Sequence, residues 1–438
     1  MSKCACGHLF SRHTSSGCRE SSCSCTYGTY AQTNQNPGNQ SLFDPLDMMI
    51  SDPVFDIESI DKQVQMAFPC YVKNDQSWNE IEILWDEFHE LYENKKWAKV
   101  LEVTDKIIQI KPDDQYAYMY KAYALDELKQ YEEAIRCLDA SLDIDEKFVR
   151  AIHIKGYIKD NMKRYDEALT CFDEALEIDP RYVRSLNSKG ITLRILKRYD
   201  EALTCFDEAL EIDPRYTKPL RNIAKTKRIL GSNDEALTYL VKALEIDPRD
   251  KIALNSKGIT LRILKRYDEA LTCFDEALEI DPRYTRALRS KGITLRILER
   301  YDEALTCFDE ALEIDPRNDL SLWGKAKTLK QDGKYNEALL YFDKELEINP
   351  NDATVLNSKA WLLHLLERYD EALITVNKSL SIRSNHIDTI HTKGRILLKL
   401  KQYDNAIHYF DMTLKIDPEY KDSIKDRQLA ADAAKLDK

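Results

Sequence analysis

RYDEALTCFDEALEIDPRYT, residues 198–217, recurs letter for letter at 266–285 and almost unchanged from 164 and from 300. Weaker copies fill most of the chain. The prolines Pro112, Pro180, Pro214, Pro248, Pro282, Pro316, Pro350 and Pro418 stand 34 residues apart, or 68, and the two gaps fall at Glu146 and Ser384. A fixed period of this length is that of a helix–turn–helix unit. Ten units fit, from 81–114 to 387–420, each ending two residues after its proline position.

Each unit predicts two helices for local reasons. In the second half of 183–216, Ala202, Leu203, Phe206, Ala209 and Leu210 share one face of a 3.6-residue helix. Asp200 and Glu201 open that helix, where the positive end of the backbone dipole favours acid. Asp213–Pro214 then turns the chain out of helix. In the first half, Leu186, Gly190 and Leu193 form a second stripe. Glycine costs a helix about 1 kcal/mol, so Gly190 needs a packing reason. Its equivalents are Ala122, Gly156, Ala224, Gly258, Gly292, Ala326, Ala360 and Gly394. A small residue there lets the partner helix approach. Ala134, Ala168, Ala202, Ala236, Ala270, Ala304, Ala338, Ala372 and Ala406 do the same on the second helix.

A small residue, then an alanine, then a phenylalanine four residues on (Phe172, Phe206, Phe274, Phe308, Phe342, Phe410), then a late proline: over 81–420 the chain resembles the tetratricopeptide repeat family. The first unit departs from the pattern, with Phe88 and Val100 at the small positions. The resemblance implies an all-α, right-handed superhelical solenoid of about ten repeats. First helices would line its concave side and second helices its outside, and its usual role is to hold peptides or partner proteins. The chain divides accordingly into an N-terminal region, 1–75, a solenoid, 76–420, and a closing polar helix, 421–438, in which Ile424 and the alanines supply a thin apolar side.

Residues 1–40 are rich in Ser, Thr, Asn, Gln and Gly and are expected to be disordered. They hold Cys4, Cys6, Cys18, Cys23 and Cys25 with His8 and His13; the spacing is not that of paired zinc ligands, and a flexible tail is the reading preferred to a metal site. Residues 41–61 interleave ten apolar side chains with six acids and no Lys or Arg. The segment suits a cap on the first repeat or a docking peptide equally. Cys137, Cys171, Cys205, Cys273 and Cys307 are one repeat position copied, read as packing residues. Repeated unpaired thiols point to a reducing compartment, hence the cytoplasm. No run of 18 apolar residues suggests a membrane span, and nothing calls for a cofactor.

The net charge is −12, but it is sorted. In the unit 251–284 the first helix carries Lys251, Lys257 and Arg262 and no acid, whereas 266–281 carries six acids against Arg266 alone. Unit positions 2, 5, 9 and 12 share one side of the first helix. Position 12 gives Arg194, Arg228, Arg262, Arg296 and Lys330. Positions 2 and 5 add Arg184, Asn187, Arg221, Asn255, Arg286 and Arg289, and position 9 adds Lys225 among isoleucines. Arginine binds carboxylates bidentately and asparagine can hold a peptide backbone. These twelve residues are the candidate ligand face, set against the plainer reading that copied arginines merely solvate the inner side. The expected ligand is an extended acidic-hydrophobic peptide or partner segment, with 41–61 as a candidate internal one. The Lys/Asn set by which some family members grip chaperone tails is missing here.

The favoured class is therefore a non-catalytic protein-interaction scaffold. The alternative is a nucleic-acid-associated assembly factor using the same face; the acidic balance and scarce inner aromatics disfavour it. No nucleotide loop, HExxH or nucleophile elbow appears, and the eight His are scattered.

Overall fold

The computed structural model describes residues 76–437; upstream it describes only His13–Thr14 and Gly17–Cys18, an antiparallel pair with His13 opposite Cys18. The expected disordered tail, the remainder of the cysteine cluster and the segment 41–61 lie outside the described residues. The chain forms two compact units, Met1–Pro214 and Arg215–Lys438.

Among the described residues the first unit holds eight helices in four hairpins: α1 (Gln76–Glu93) with α2 (Trp97–Ile110), α3 (Gln115–Glu127) with α4 (Tyr131–Ile144), α5 (Val149–Asn161) with α6 (Tyr165–Ile178), and α7 (Val183–Ile195) with α8 (Tyr199–Ile212). The second unit holds α9 (Thr217–Ile229) with α10 (Asn233–Ile246), α11 (Lys251–Ile263) with α12 (Tyr267–Ile280), and α13 (Thr285–Ile297) with α14 (Tyr301–Ile314). It continues with α15 (Asp319–Gln331) and α16 (Tyr335–Ile348), α17 (Ala353–Leu365) and α18 (Tyr369–Ile382), α19 (Ile387–Lys399) and α20 (Tyr403–Ile416), and closes on α21 (Lys421–Leu436). Within each unit the two helices of every hairpin pack on each other, and each second helix packs on the first helix that follows it. First helices also touch the next first helix: α3 with α5 and α5 with α7 in one unit, and α9, α11, α13 and α15 in succession in the other.

The turn inside each hairpin has one backbone solution. The residue after the first helix's last turn takes a left-handed φ of 53–63° at Lys95, Lys129, Lys163, Lys197, Lys265, Glu299, Glu367 and Lys401, and Gly231 and Gly333 fill the same place. This conformation closes the helix C-terminus, as Lys265 N–H donating to the Arg262 carbonyl shows. The first hairpin shares it through Lys95, so 76–110 folds as the other repeats do despite its large residues. Phe88 there is fully buried, and the second-helix position that is phenylalanine elsewhere is Thr104, also buried. The sizes are exchanged across the interface.

The small first-helix position does what its size requires. A Cβ on Gly190 would sit 2.5 Å from Phe206 Cε1, and one on Gly258 the same distance from Phe274 Cε1. Where that position is alanine, the facing residue shrinks: Ala122 goes with Leu138, Ala224 with Leu240, Ala360 with Val376. Ala326 with Phe342 is the exception. Every one of these side chains is buried. The core is thus built from hairpin interfaces, most of them filled by a size-matched pair.

The closing helix α21 packs on α20 through Ala430, which is fully buried. Ile424, expected on its apolar side, is instead half exposed. Among the described residues no helix is long and apolar enough to cross a membrane.

Candidate ligand-binding face

The charge of a first helix divides between two sides. Unit position 7 points toward the preceding repeat. Lys121, Lys155 and Lys189 meet Asp105, Asp139 and Asp173 at 2.5–2.6 Å in the first unit. Lys291 and Lys359 meet Asp275 and Asp343 at 2.7 and 2.5 Å in the second, with Lys325–Asp309 and Arg427–Asp411 built alike. These cations staple successive repeats. Lys251, the first residue of α11, pairs with Asp281 at 2.8 Å. Of the three cations counted on 251–264, Arg262 alone stands at position 12, where Arg228 and Arg296 bear on its charge.

Arg262 has company there. Arg228, Arg262 and Arg296 occupy the same turn of α9, α11 and α13, and Lys330 that of α15. All four are half-buried. Burial lowers the Arg262 pKa, and the positive charges of Arg228, Arg296 and Arg289 lower it further. Arg228, Arg289, Arg296 and Lys330 are lowered too, in each case chiefly by loss of water. Arg262 donates to the Ser290 carbonyl at 3.4 Å and Arg296 to Gln331 Oε1 at 2.5 Å. Among the described residues none of the four position-12 cations forms an ion pair with a carboxylate. At Arg262 the neighbouring cations add to the cost of burial, and a bound anion would offset both.

Beyond the row, Lys327 Nζ lies 4.0 Å from the Trp323 ring centre and Arg395 Cζ 4.9 Å from that of Trp361. Both tryptophans are half-buried. His364 stacks beside Trp361 at 5.4 Å, and burial pushes its pKa down to about 4, so it is neutral at pH 7.

Family models titled tetratricopeptide repeat match 148–215, 182–249, 216–283, 249–317 and 289–353. The chain belongs to the tetratricopeptide repeat family. Repeats at 93–175 and 331–413 also match the model of anaphase-promoting complex, cyclosome, subunit 3. Among solved structures, a tetratricopeptide repeat protein from Parabacteroides merdae is 19% identical, covering 57% of this chain and 98% of its own, with a TM-score of 0.45. YrrB, described as a tetratricopeptide repeat protein with an unusual peptide-binding site, is 24% identical over 42% of this chain and 95% of its own, with a TM-score of 0.32. The Cut9–Hcn1 hetero-tetramer is 13% identical over 80% and 96%, with a TM-score of 0.44. No curated protein matches the chain.

In this tetratricopeptide repeat chain the twelve expected ligand residues do not form one set. Arg184, Asn187 and Arg194 are buried in the first unit. Arg184 donates to Tyr182 Oη at 3.3 Å and packs on that ring, so it serves the interior. Burial of the His153 ring drives its pKa down to about 3, and the Arg184 charge lowers it further. In the second unit Arg221 is committed to Asp250 at 3.0 Å. Asp250 also caps α11 by accepting the Ile252 and Ala253 N–H groups, so the pair is structural. Lys225 and Arg286 are exposed. Asn255 is buried, and its Oδ1, closed off from solvent, has no hydrogen-bond partner. The residues that act on one another are Arg228, Arg262, Arg289 and Arg296, with Lys327 and Lys330 next in line.

Residues that the charge pattern passed over also line this side. Ile229, Ile263 and Ile297 follow Arg228, Arg262 and Arg296 in sequence and are 51%, 47% and 43% exposed. The signal was available: an isoleucine at the end of a first helix, copied in register, lies outside the stripe that packs on the second helix. The copied cysteines, by contrast, face inward. Cys171, Cys205, Cys273 and Cys307 are buried, and burial pushes the thiols of the last three up to about 11. At neutral pH these thiols are protonated and unreactive.

Proposed function

We propose that the protein is a non-catalytic scaffold that holds an acidic-hydrophobic segment of a partner protein against the inner side of its second unit. The observation that carries this reading is the row Arg228, Arg262, Arg296 and Lys330, on successive first helices, without a carboxylate partner among the described residues. The half-buried Trp323 and Trp361 supply apolar anchors farther along. Two of its regions match a subunit of a large assembly, the anaphase-promoting complex, which accords with a scaffold. The reducing interior of the cell suits its unpaired cysteines. The segment 41–61 has the composition of the proposed ligand, and we assign it the role of an internal competitor whose tether raises its effective concentration. A chain lacking 1–75 then binds partners more tightly than the full chain.

The test is charge reversal. Arg228→Glu with Arg262→Glu in the full chain should abolish capture of partner proteins from a cell extract while leaving the helical circular dichroism signal unchanged. An unaltered set of captured proteins would refute the role of the row. Capture of nucleic acid instead of protein would favour the nucleic-acid-associated alternative.

A further inference from the structure

We propose that the segment bound by the second unit is an α-helix lying across the first helices, with acidic residues seven apart meeting Arg228, Arg262, Arg296 and Lys330 in turn. This rests on the reading above, that the face takes an acidic partner segment, and adds its conformation and register. It replaces the extended ligand expected from sequence.

The argument is one of commensurate spacing. The four cations stand at the same turn of α9, α11, α13 and α15, and Cα atoms of each neighbouring pair of these helices come within 8 Å. Packed helices keep their axes about 8–10 Å apart, so the rungs recur at about that distance. A ligand helix returns a side chain to the same face every seven residues, about 10.5 Å along its axis. Long arginine stems absorb the remaining difference. An extended strand returns a side chain to one face every second residue, so its repeats fall at about 6.7 and 13 Å. Against such rungs it drifts by about 1–3 Å per rung at the short repeat or about 3–5 Å at the long one, and its three-residue step, near 10 Å, points the wrong way.

The second row agrees. Ile229, Ile263 and Ile297 are exposed beside the first three cations, although isoleucine is among the most buried residue types. Ile259 and Ile293, one turn earlier on α11 and α13, are half-buried against the core. The face thus offers a charged line and an apolar line side by side. A helix about 10–12 Å across covers both, because residues three and four apart give it adjacent acidic and apolar stripes. A polyproline II chain repeats every three residues at about 9.3 Å, but it is slimmer and presents one side chain per rung. Carboxylates on the ligand complement a row that lacks acid of its own.

The test uses the full-length protein and labelled 24-residue probes in fluorescence anisotropy. One probe is helix-forming, with Glu seven apart flanked by Leu. A second has the same composition with Glu five apart. A third is the first with a central Pro, and a fourth is a polyproline chain with Glu at every third position. The first should bind at least tenfold more tightly than the second, the central Pro should weaken it about 100-fold, and Arg262→Glu should remove the difference. Equal binding of all probes would overturn the helical register while leaving an acid-binding face intact. Tighter binding of the polyproline probe would overturn the helix in favour of that conformation. Failure of every probe to bind would overturn the register and the acid-binding face together.

Discussion

Gly258→Ala tests the packing logic on which every repeat depends. The added Cβ would lie 2.5 Å from Phe274 Cε1 and 2.8 Å from its Cζ, closer than real Cβ contacts allow. Phe274 is fully buried, so its ring cannot swing into solvent. Overpacking of this kind costs about 1–3 kcal/mol. Alanine gives back about 1 kcal/mol in helix propensity, so the net loss should lie between about zero and 2 kcal/mol. Phe274→Leu alone leaves a cavity and should cost about 1–2 kcal/mol. The double variant recreates the Ala224–Leu240 interface found one repeat earlier, where both side chains are buried without conflict. It should be more stable than the sum of the single changes by about 1–2 kcal/mol. The assay is guanidinium unfolding of all four chains followed by circular dichroism, fitted with nearest-neighbour coupling because repeat arrays are not strictly two-state. Additive effects, or a stabilising Gly258→Ala alone, would refute the size-matching account.

Other positions give further expectations. Lys265→Gly should raise stability by about 1 kcal/mol, since Lys265 holds a left-handed φ of 60° that Gly231 and Gly333 adopt freely; a lower melting temperature would contradict this. Glu345 is buried where Ala311 stands one repeat earlier, and burial, then the charges of Asp352 and Asp319, push its carboxyl up to about 8. A raised acid binds its proton more tightly folded than unfolded, so stability is lost as pH rises from about 4.5 to 8 and stays low above. Melting curves of the wild type and Glu345→Ala should separate over that window, the variant gaining on the alkaline side, and parallel curves would exclude the effect. The thiols of Cys205, Cys273 and Cys307 should resist a thiol reagent at pH 8 until the chain unfolds, as their burial and raised pKa require; prompt labelling of native protein would show otherwise.

Much of the fold was legible because the repeat writes its packing rules several times over. The 34-residue period, the late prolines and the small residue at Gly190 each follow from what a helical hairpin can bury. The site was legible in part. Position 12 puts Arg228, Arg262, Arg296 and Lys330 at the same turn of four successive first helices, as helical periodicity requires. The count of three cations on 251–264 was misleading, because a sum over a helix mixes its sides: Lys251 is spent on Asp281, and position 7 elsewhere staples neighbouring repeats. Arg221 is held by Asp250, the last residue of its own unit, which also caps α11 of the next repeat. The exposed isoleucines are not marked by charge: residue 263 is apolar like the core positions and differs from them only in its place on the helix.

The most direct measurement is a titration of poly-L-glutamate into the full chain and into the Arg228→Glu, Arg262→Glu variant, at low and at physiological salt. The account predicts saturable binding by the wild type that weakens as salt rises, and a loss of at least tenfold in the variant. Equal affinity in the two chains would contradict the claim that the uncompensated cations of the second unit are what its ligand meets.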